Sequence, residues 1–128
     1  MALRDQLRIL VVDDMSTSRG LITQALDSFG ITQVSVADDA RSALDSLARF
    51  PVHLVISDYN MPGMTGLHLL QNLRGNPATR QTGFILITGR ADPQMIETGR
   101  RLGMNNFITK PFVPQDLRAC IEAVVGRL

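Results

Sequence analysis

Four short apolar runs each end at side chains carrying an acid, a hydroxyl or an amine. Ile9–Val12 runs into Asp13 and Asp14, Val52–Ser57 into Asp58, Phe84–Ile87 into Thr88, and Asn106–Thr109 into Lys110. Runs that stay apolar instead of alternating are the mark of strands covered by helices on both faces, which is the situation of a parallel sheet. If these runs are parallel strands, all four ends open on one edge of the sheet, where open α/β sheets hold their ligands. Residues far apart in sequence then become neighbours.

The segments between the runs carry helical periodicity, giving five strands and five helices in alternation, an α/β order. Leu21, Ile22, Ala25, Leu26 and Phe29 form the first apolar stripe, with Ser16 as N-cap and Gly30 as stop. Ala40, Ala43, Leu44 and Leu47 form the second, behind the cap candidates Asp38 and Asp39 and ahead of Pro51. Leu67, Leu70 and Leu73 before Gly75 give a third. Asp92 with Pro93 opens a fourth that ends near Gly103, and Pro114 opens a fifth with the stripe Leu117, Ile121, Val124 and Leu128. On this reading the chain stops where its last helix stops, so residues 1–128 are one module with no output domain.

Strand composition also orders the sheet. Gln33, Val34, Ser35 and Val36 alternate, and Phe107 with Ile108 is short, so the second and fifth strands are the edges. With right-handed crossovers the order 2-1-3-4-5 satisfies this, a doubly wound, flavodoxin-like three-layer sandwich. Its strand order reverses between strands one and three, where Asp13, Asp14 and Asp58 lie.

Composition narrows the function. Thirteen Lys and Arg against twelve Asp and Glu leave a net charge of +1, far from the basic excess of a nucleic-acid binder. Only four apolar residues follow Arg4, Asp5 and Arg8, too few for a signal peptide or a membrane span, so the expected location is the cytoplasm. Cys120 is the sole cysteine; among Leu117, Ile121 and Val124 it reads as a helix residue, not a nucleophile. His53, placed inside a strand, and His68, on a helix, lack partners at ligand spacing and read as structural. Arg100 and Arg101 read as a solvated helix face.

Three carboxylates brought close together repel by roughly 4 kcal/mol per pair at about 4 Å and an effective dielectric near ~20, and so call for a cation. Oxygen ligands without His or Cys favour Mg²⁺, with Mn²⁺ possible, over zinc. Asp58, at the start of the loop Tyr59-Asn60-Met61-Pro62-Gly63, is the candidate nucleophile. Lys110 and Thr88 are placed to hold phosphoryl oxygens, with Gly89 leaving room for entry. The product is then an aspartyl phosphate.

The runs VVDDMSTSRG, SDYNMPGMTG, ITG and ITKPF, in this order and spacing, resemble the receiver domain of two-component response regulators, and most closely the single-domain chemotaxis regulators of the CheY type. The resemblance covers the whole chain, and that family is itself a known example of the 2-1-3-4-5 order. It implies that Asp13 and Asp14 are the acidic metal-binding pair and Asp58 the phosphoacceptor. Thr88 takes the place of the switch hydroxyl, Lys110 that of the site lysine, and Asn60 lends a backbone carbonyl to the metal. It further implies a cis Lys110–Pro111 peptide and a phosphohistidine donor on a histidine kinase of the CheA type. Phosphorylation then draws Thr88 inward, Phe107 follows, and the face built from helix four, strand five and helix five changes its population of states. A flagellar motor switch protein or a phosphatase are the candidate partners of that face, and a monomer is expected.

Two departures bear on this. Phe107 stands where family members often carry Tyr, so the hydroxyl contribution to the switch is missing. The lysines that motor-binding relatives tend to carry on the output face correspond here to Asp92, Pro93, Cys120 and Ala123, which points to a partner other than the usual motor peptide; chemotaxis signalling is the expected role, with a phosphate sink, relay or adaptor receiver as the alternative. Arg90, two residues after Thr88, is expected to reach over the phosphoryl group and, with Asn60, to set its lifetime. A phosphatase of the haloacid-dehalogenase type is the competing class. It needs a second aspartate two residues after the nucleophile, and Asn60 occupies that position. The expectation is therefore a signalling protein that acts only on itself, not an enzyme with turnover.

Overall fold

The computed structural model describes residues 2–128. Five parallel strands, β1 (Arg8–Val12), β2 (Gln33–Ala37), β3 (Leu54–Asp58), β4 (Gly83–Thr88) and β5 (Asn106–Thr109), form one sheet in the order β2-β1-β3-β4-β5. The expected order and edges are present. The helices are α1 (Leu3–Gln6), α2 (Ser16–Ser28), α3 (Ala40–Arg49), α4 (Gly66–Gly75), α5 (Pro93–Arg101) and α6 (Pro114–Val125).

Alternation along each strand divides the interior into two layers. Ile9, Val11, Leu54, Ile56, Ile85 and Ile87 face the layer closed by α2 and α6. Leu10, Val12, Val55, Phe84 and Leu86 face the one closed by α3, α4 and α5. Every residue of β3 is buried, whereas β2 exposes three of five, as central and edge strands should. Among the described residues no helix is long and apolar enough to cross a membrane.

The structure corrects the sequence reading in several places. Among the described residues there are six helices, not five. The additional α1 is a single turn whose Asp5 amide donates to the Ala2 carbonyl at 3.1 Å and whose Asp5 carbonyl accepts from Gln33 Nε2 at 2.9 Å. Four residues offer no periodicity to read. Ser16 is not the cap of α2 but its first residue; Met15 is the N-cap, without a side-chain bond. The last helix ends at Val125, and Gly126 at φ +98° turns the chain away. Leu128 is therefore off the helix, yet it is buried in the same cluster as Leu7 and Phe29, and its amide donates to Glu122 Oε2 at 3.0 Å. His53 precedes β3, with Nδ1 accepting from the Arg8 amide at 3.0 Å. His68 Nδ1 accepts from the Thr65 amide at 3.2 Å at the start of α4. Both histidines are occupied with backbone.

At the sheet end opposite Asp58, Arg74 ties three segments. Its guanidinium donates to the carbonyls of Arg80 (3.0 Å), Thr82 (2.7 Å) and Gly103 (2.8 Å) and to Asn105 Oδ1 (3.2 Å). Burial lowers its pKa. This ties down the two loops that lead into β4 and β5.

Candidate functional site

Strand register assembles the site. Val12 pairs with Ser57 and Asp58 with Ile87, so Asp13 and Asp58 emerge side by side at the point where the strand order reverses. Carboxylate oxygens of Asp13, Asp14 and Asp58 all lie within 4.8 Å of one another. Asp13 and Asp58 are buried while Asp14 is exposed. Lys110, the chain's only lysine, follows β5; its Nζ lies 3.3 Å from Asp58 Oδ1 and 3.4 Å from Asp13 Oδ2. The Lys110–Pro111 peptide is cis.

Burial pushes the Asp58 carboxyl above its ordinary value. The Lys110 charge opposes this and repulsion from Asp13 adds to it. A carboxylate held in this way gains from a nearby cation and is a better nucleophile than a fully solvated one. The donor set is oxygen only, with two anionic groups facing a third, and suits a hard divalent ion that keeps some of its waters.

Asp58 is also gripped from behind. The Gly66 amide donates to the Tyr59 carbonyl at 2.9 Å and the Tyr59 amide to the Ile87 carbonyl at 2.8 Å, closing the loop between β3 and α4. A Cβ on Gly66 would stand 2.5 Å from the Asp58 carbonyl oxygen and 2.8 Å from Leu86 Cδ1. Glycine is what lets α4 start against the strand end. Asn60, in this loop, is exposed.

Thr88 is buried, one register position beyond Ile87 and opposite Thr109. Its hydroxyl donates to the Arg90 carbonyl at 3.0 Å and accepts from the Arg90 amide at 3.2 Å. Arg90 itself is exposed, and its backbone is what the site hydroxyl touches. Phe107 is half-buried and, like Met95, Ile96 and Leu102, packs against the layer closed by α3, α4 and α5. Cys120 lies nearby with its Sγ 3.7 Å from the Phe107 carbonyl, its thiol pushed up to about 11 by burial. At neutral pH that thiol is a packing group.

Sequence reasoning missed two side chains. Ser18 Oγ donates to Asp13 Oδ2 at 2.5 Å, and Arg19 Nη1 to the Asp13 carbonyl at 2.7 Å. The signal was present as a hydroxyl run, Ser16-Thr17-Ser18, directly after the acidic pair. Beside Lys110 an apolar groove opens between α2 and the loop before α6, lined by Met15, Leu21, Ala25, Pro111 and Phe112.

Residues 9–122 match the family model of the response regulator receiver domain. The chain belongs to the receiver-domain family. This receiver domain is 40% identical over 128 residues to the Rhizobium etli protein named "Probable chemotaxis protein CheY", covering 100% of this chain and 99% of that one. It superposes on the crystal structure of Vibrio cholerae chemotaxis protein CheY4 with a TM-score of 0.87 at 29% identity, covering 92% of this chain and 98% of that one. A second structural relative is the receiver domain of a sensor histidine kinase from Pseudomonas aeruginosa PAO1, solved with a magnesium ion coordinated in its active site cleft. There the TM-score is 0.84 at 25% identity, over 94% of this receiver domain and 98% of the other. A two-component signalling domain, not a turnover enzyme, is thus the class to which the geometry belongs.

Proposed function

We propose that this receiver domain accepts a phosphoryl group on Asp58 from the phosphohistidine of a histidine kinase and passes the event to a partner through the face formed by α5, β5 and α6. The observation that carries the proposal is the meeting of Asp13, Asp14 and Asp58 at the strand-order reversal, with the Lys110 amine 3.3 Å from Asp58 Oδ1. A carboxylate oxygen of Asp58 attacks phosphorus, the P–N bond to the donor imidazole breaks, and its electron pair leaves with the imidazole. Lys110, already between two carboxylates, neutralises charge on the transferred oxygens, and the Thr88 hydroxyl is a donor once it leaves the Arg90 backbone. Asp13, Asp14, Asp58 and the backbone carbonyl of Asn60 would hold Mg²⁺, which when bound would supply positive charge to the phosphoryl oxygens.

Release of Thr88 from Arg90 frees the end of β4 to move toward the phosphoryl group. Phe107 then has room to follow, which shifts the packing of the layer it shares with Met95, Ile96 and Leu102 and hence the surface of α5. Arg90 and Asn60, both exposed, are the residues assigned to control the approach of hydrolytic water and so the lifetime of the acyl phosphate. The similarity to CheY proteins supports chemotaxis signalling in the cytoplasm, with a CheA-type kinase as donor. The output face carries no lysine, since the only one is at the phosphorylation site. That favours, as second reading, a phosphate sink or adaptor over a motor-binding regulator.

Incubation with Mg²⁺ and a small acyl phosphate, followed by intact mass, tests the chemistry. One phosphoryl group per chain is expected, none in Asp58→Asn. Equal labelling of both proteins, or continuous release of phosphate without a labelled chain, refutes it.

A further inference from the structure

Of the three clustered acids, Asp13 is the one whose side chain is fully buried, and its carboxylate is held on both oxygens. Oδ1 accepts from the Met15 amide at 2.9 Å; Oδ2 accepts from the Ser18 hydroxyl at 2.5 Å and faces Lys110 Nζ at 3.4 Å. The terminal torsion of an aspartate is soft and roughly two-fold. With two more carboxylates within 4.8 Å, an untethered Asp13 would turn to relieve repulsion. One amide on one oxygen does not fix the plane, but the added hydroxyl on the other does.

The two side-chain donors on Oδ2 act oppositely toward a cation. Lys110 brings a positive charge that competes with the ion for the same oxygen, and it is shared with Asp58 at 3.3 Å. Ser18 is neutral. It orients the carboxylate without repelling the ion, and it stays with Asp13 when Lys110 is drawn to a phosphoryl oxygen. Ser18 sits in the first turn of α2, whose start is anchored by Arg19 Nη1 on the Asp13 carbonyl at 2.7 Å. Helix and acid therefore move as one body.

We propose that Ser18 is a positioning residue for the cation site, its hydroxyl fixing the plane of the Asp13 carboxylate and thereby setting the affinity for Mg²⁺. The proposal rests on the reading of the acidic cluster as a divalent-cation site. Outer partners of metal-ligating carboxylates are typically worth about 10- to 100-fold in affinity.

Calorimetric titration of the metal-free protein with MgCl₂ tests it with four chains: wild type, Ser18→Ala, Ser18→Thr and Asp13→Asn. Ser18→Ala should bind Mg²⁺ at least about tenfold more weakly. Ser18→Thr, which keeps the hydroxyl at a position bordering the groove, should stay within about threefold of wild type, on the same scale. In acyl phosphate labelling, Ser18→Ala should need a correspondingly higher Mg²⁺ concentration for half-maximal rate and reach the same rate at saturation. Thermal unfolding in EDTA should be cooperative for both Ser18 variants, with Tm lowered in Ser18→Ala by the lost hydrogen bond to the buried Asp13 carboxylate and close to wild type in Ser18→Thr. Equal Mg²⁺ affinity of Ser18→Ala and wild type overturns the role of Ser18 and leaves the cation site intact, as does a threonine variant as weak as the alanine one. No Mg²⁺ binding by wild type, or undiminished binding by Asp13→Asn, overturns the cation site itself and the role of Ser18 with it.

Discussion

Gly66→Ala sets two physical effects against each other at one atom. Gly66 opens α4, and helix propensity alone favours alanine by about 1 kcal/mol. The added Cβ, however, lands 2.5 Å from the Asp58 carbonyl oxygen, where side-chain carbons essentially never come within about 3.0 Å of a neighbour, so strand end and helix start must part by at least about 0.5 Å. The second neighbour, Leu86 Cδ1 at 2.8 Å, belongs to the fully buried centre of β4 and has little room to yield. Overpacking of this kind costs about 1–3 kcal/mol, and since the first obstacle is backbone the net change is expected at about 2 kcal/mol destabilising. For a chain of 128 residues the unfolding entropy is about 0.27 kcal/mol per degree, so Tm falls by roughly 7 °C. Gly20→Ala is the control: it lies inside α2, is exposed, and has nothing within 4 Å of its added Cβ, so Tm should rise by about 3–4 °C. Differential scanning calorimetry in EDTA reads both. Because the clash displaces Asp58, Gly66→Ala should also slow acyl phosphate labelling by about tenfold, given that roughly 1 Å of misplacement costs on the order of 100-fold. A Gly66→Ala protein as stable as wild type, with labelling unchanged, refutes the claim that this glycine sets the position of Asp58.

Asp58→Asn should raise stability at pH 7 in EDTA, because the raised carboxyl pKa is the net of burial and Asp13 repulsion against the attraction of Lys110. The folded chain holds that proton more tightly than the unfolded one. Wild-type stability from this group is thus greatest in acid and is lost as pH climbs from the ordinary carboxylate value through the raised one. The advantage of the Asp58→Asn variant over wild type should shrink as pH falls toward about 4, and an advantage independent of pH, read by urea unfolding, contradicts this account. Arg74→Met keeps the apolar stem and removes all four polar contacts, three to carbonyls and one to Asn105. It should cost about 2–3 kcal/mol in urea unfolding, with labelling at the far end of the sheet preserved; a loss under about 0.5 kcal/mol removes Arg74 from the account of how the loops into β4 and β5 are held.

What the sequence disclosed and what it withheld follow the range of the forces involved. The strands were readable because burial on both faces makes Val11, Val55 and Leu86 neighbours of apolar residues in their own segments. The acids and Lys110 were readable because each ends such a segment, so finding the strands places the side chains. Helix α1 was not, since its single turn is held by Gln33, far along the chain. Leu128 was assigned to a helix because its spacing fits the stripe, while the turn at Gly126 carries it to the core by another route. Ser16 fits a cap by residue type, but the hydroxyl that bonds to Asp13 is two positions on, within the first turn of α2. Arg74 finds three carbonyls from two loops, a pattern with no local signature.

With arginine at every other basic position, a reagent for primary amines has one side-chain target in this protein, apart from the amino terminus. That target lies 3.3 Å from Asp58, the residue proposed to accept the phosphoryl group. Its reactivity toward an acylating probe therefore becomes a gauge of whether the site is empty, ion-loaded or esterified, read from a single mass peak without a label or an engineered tag.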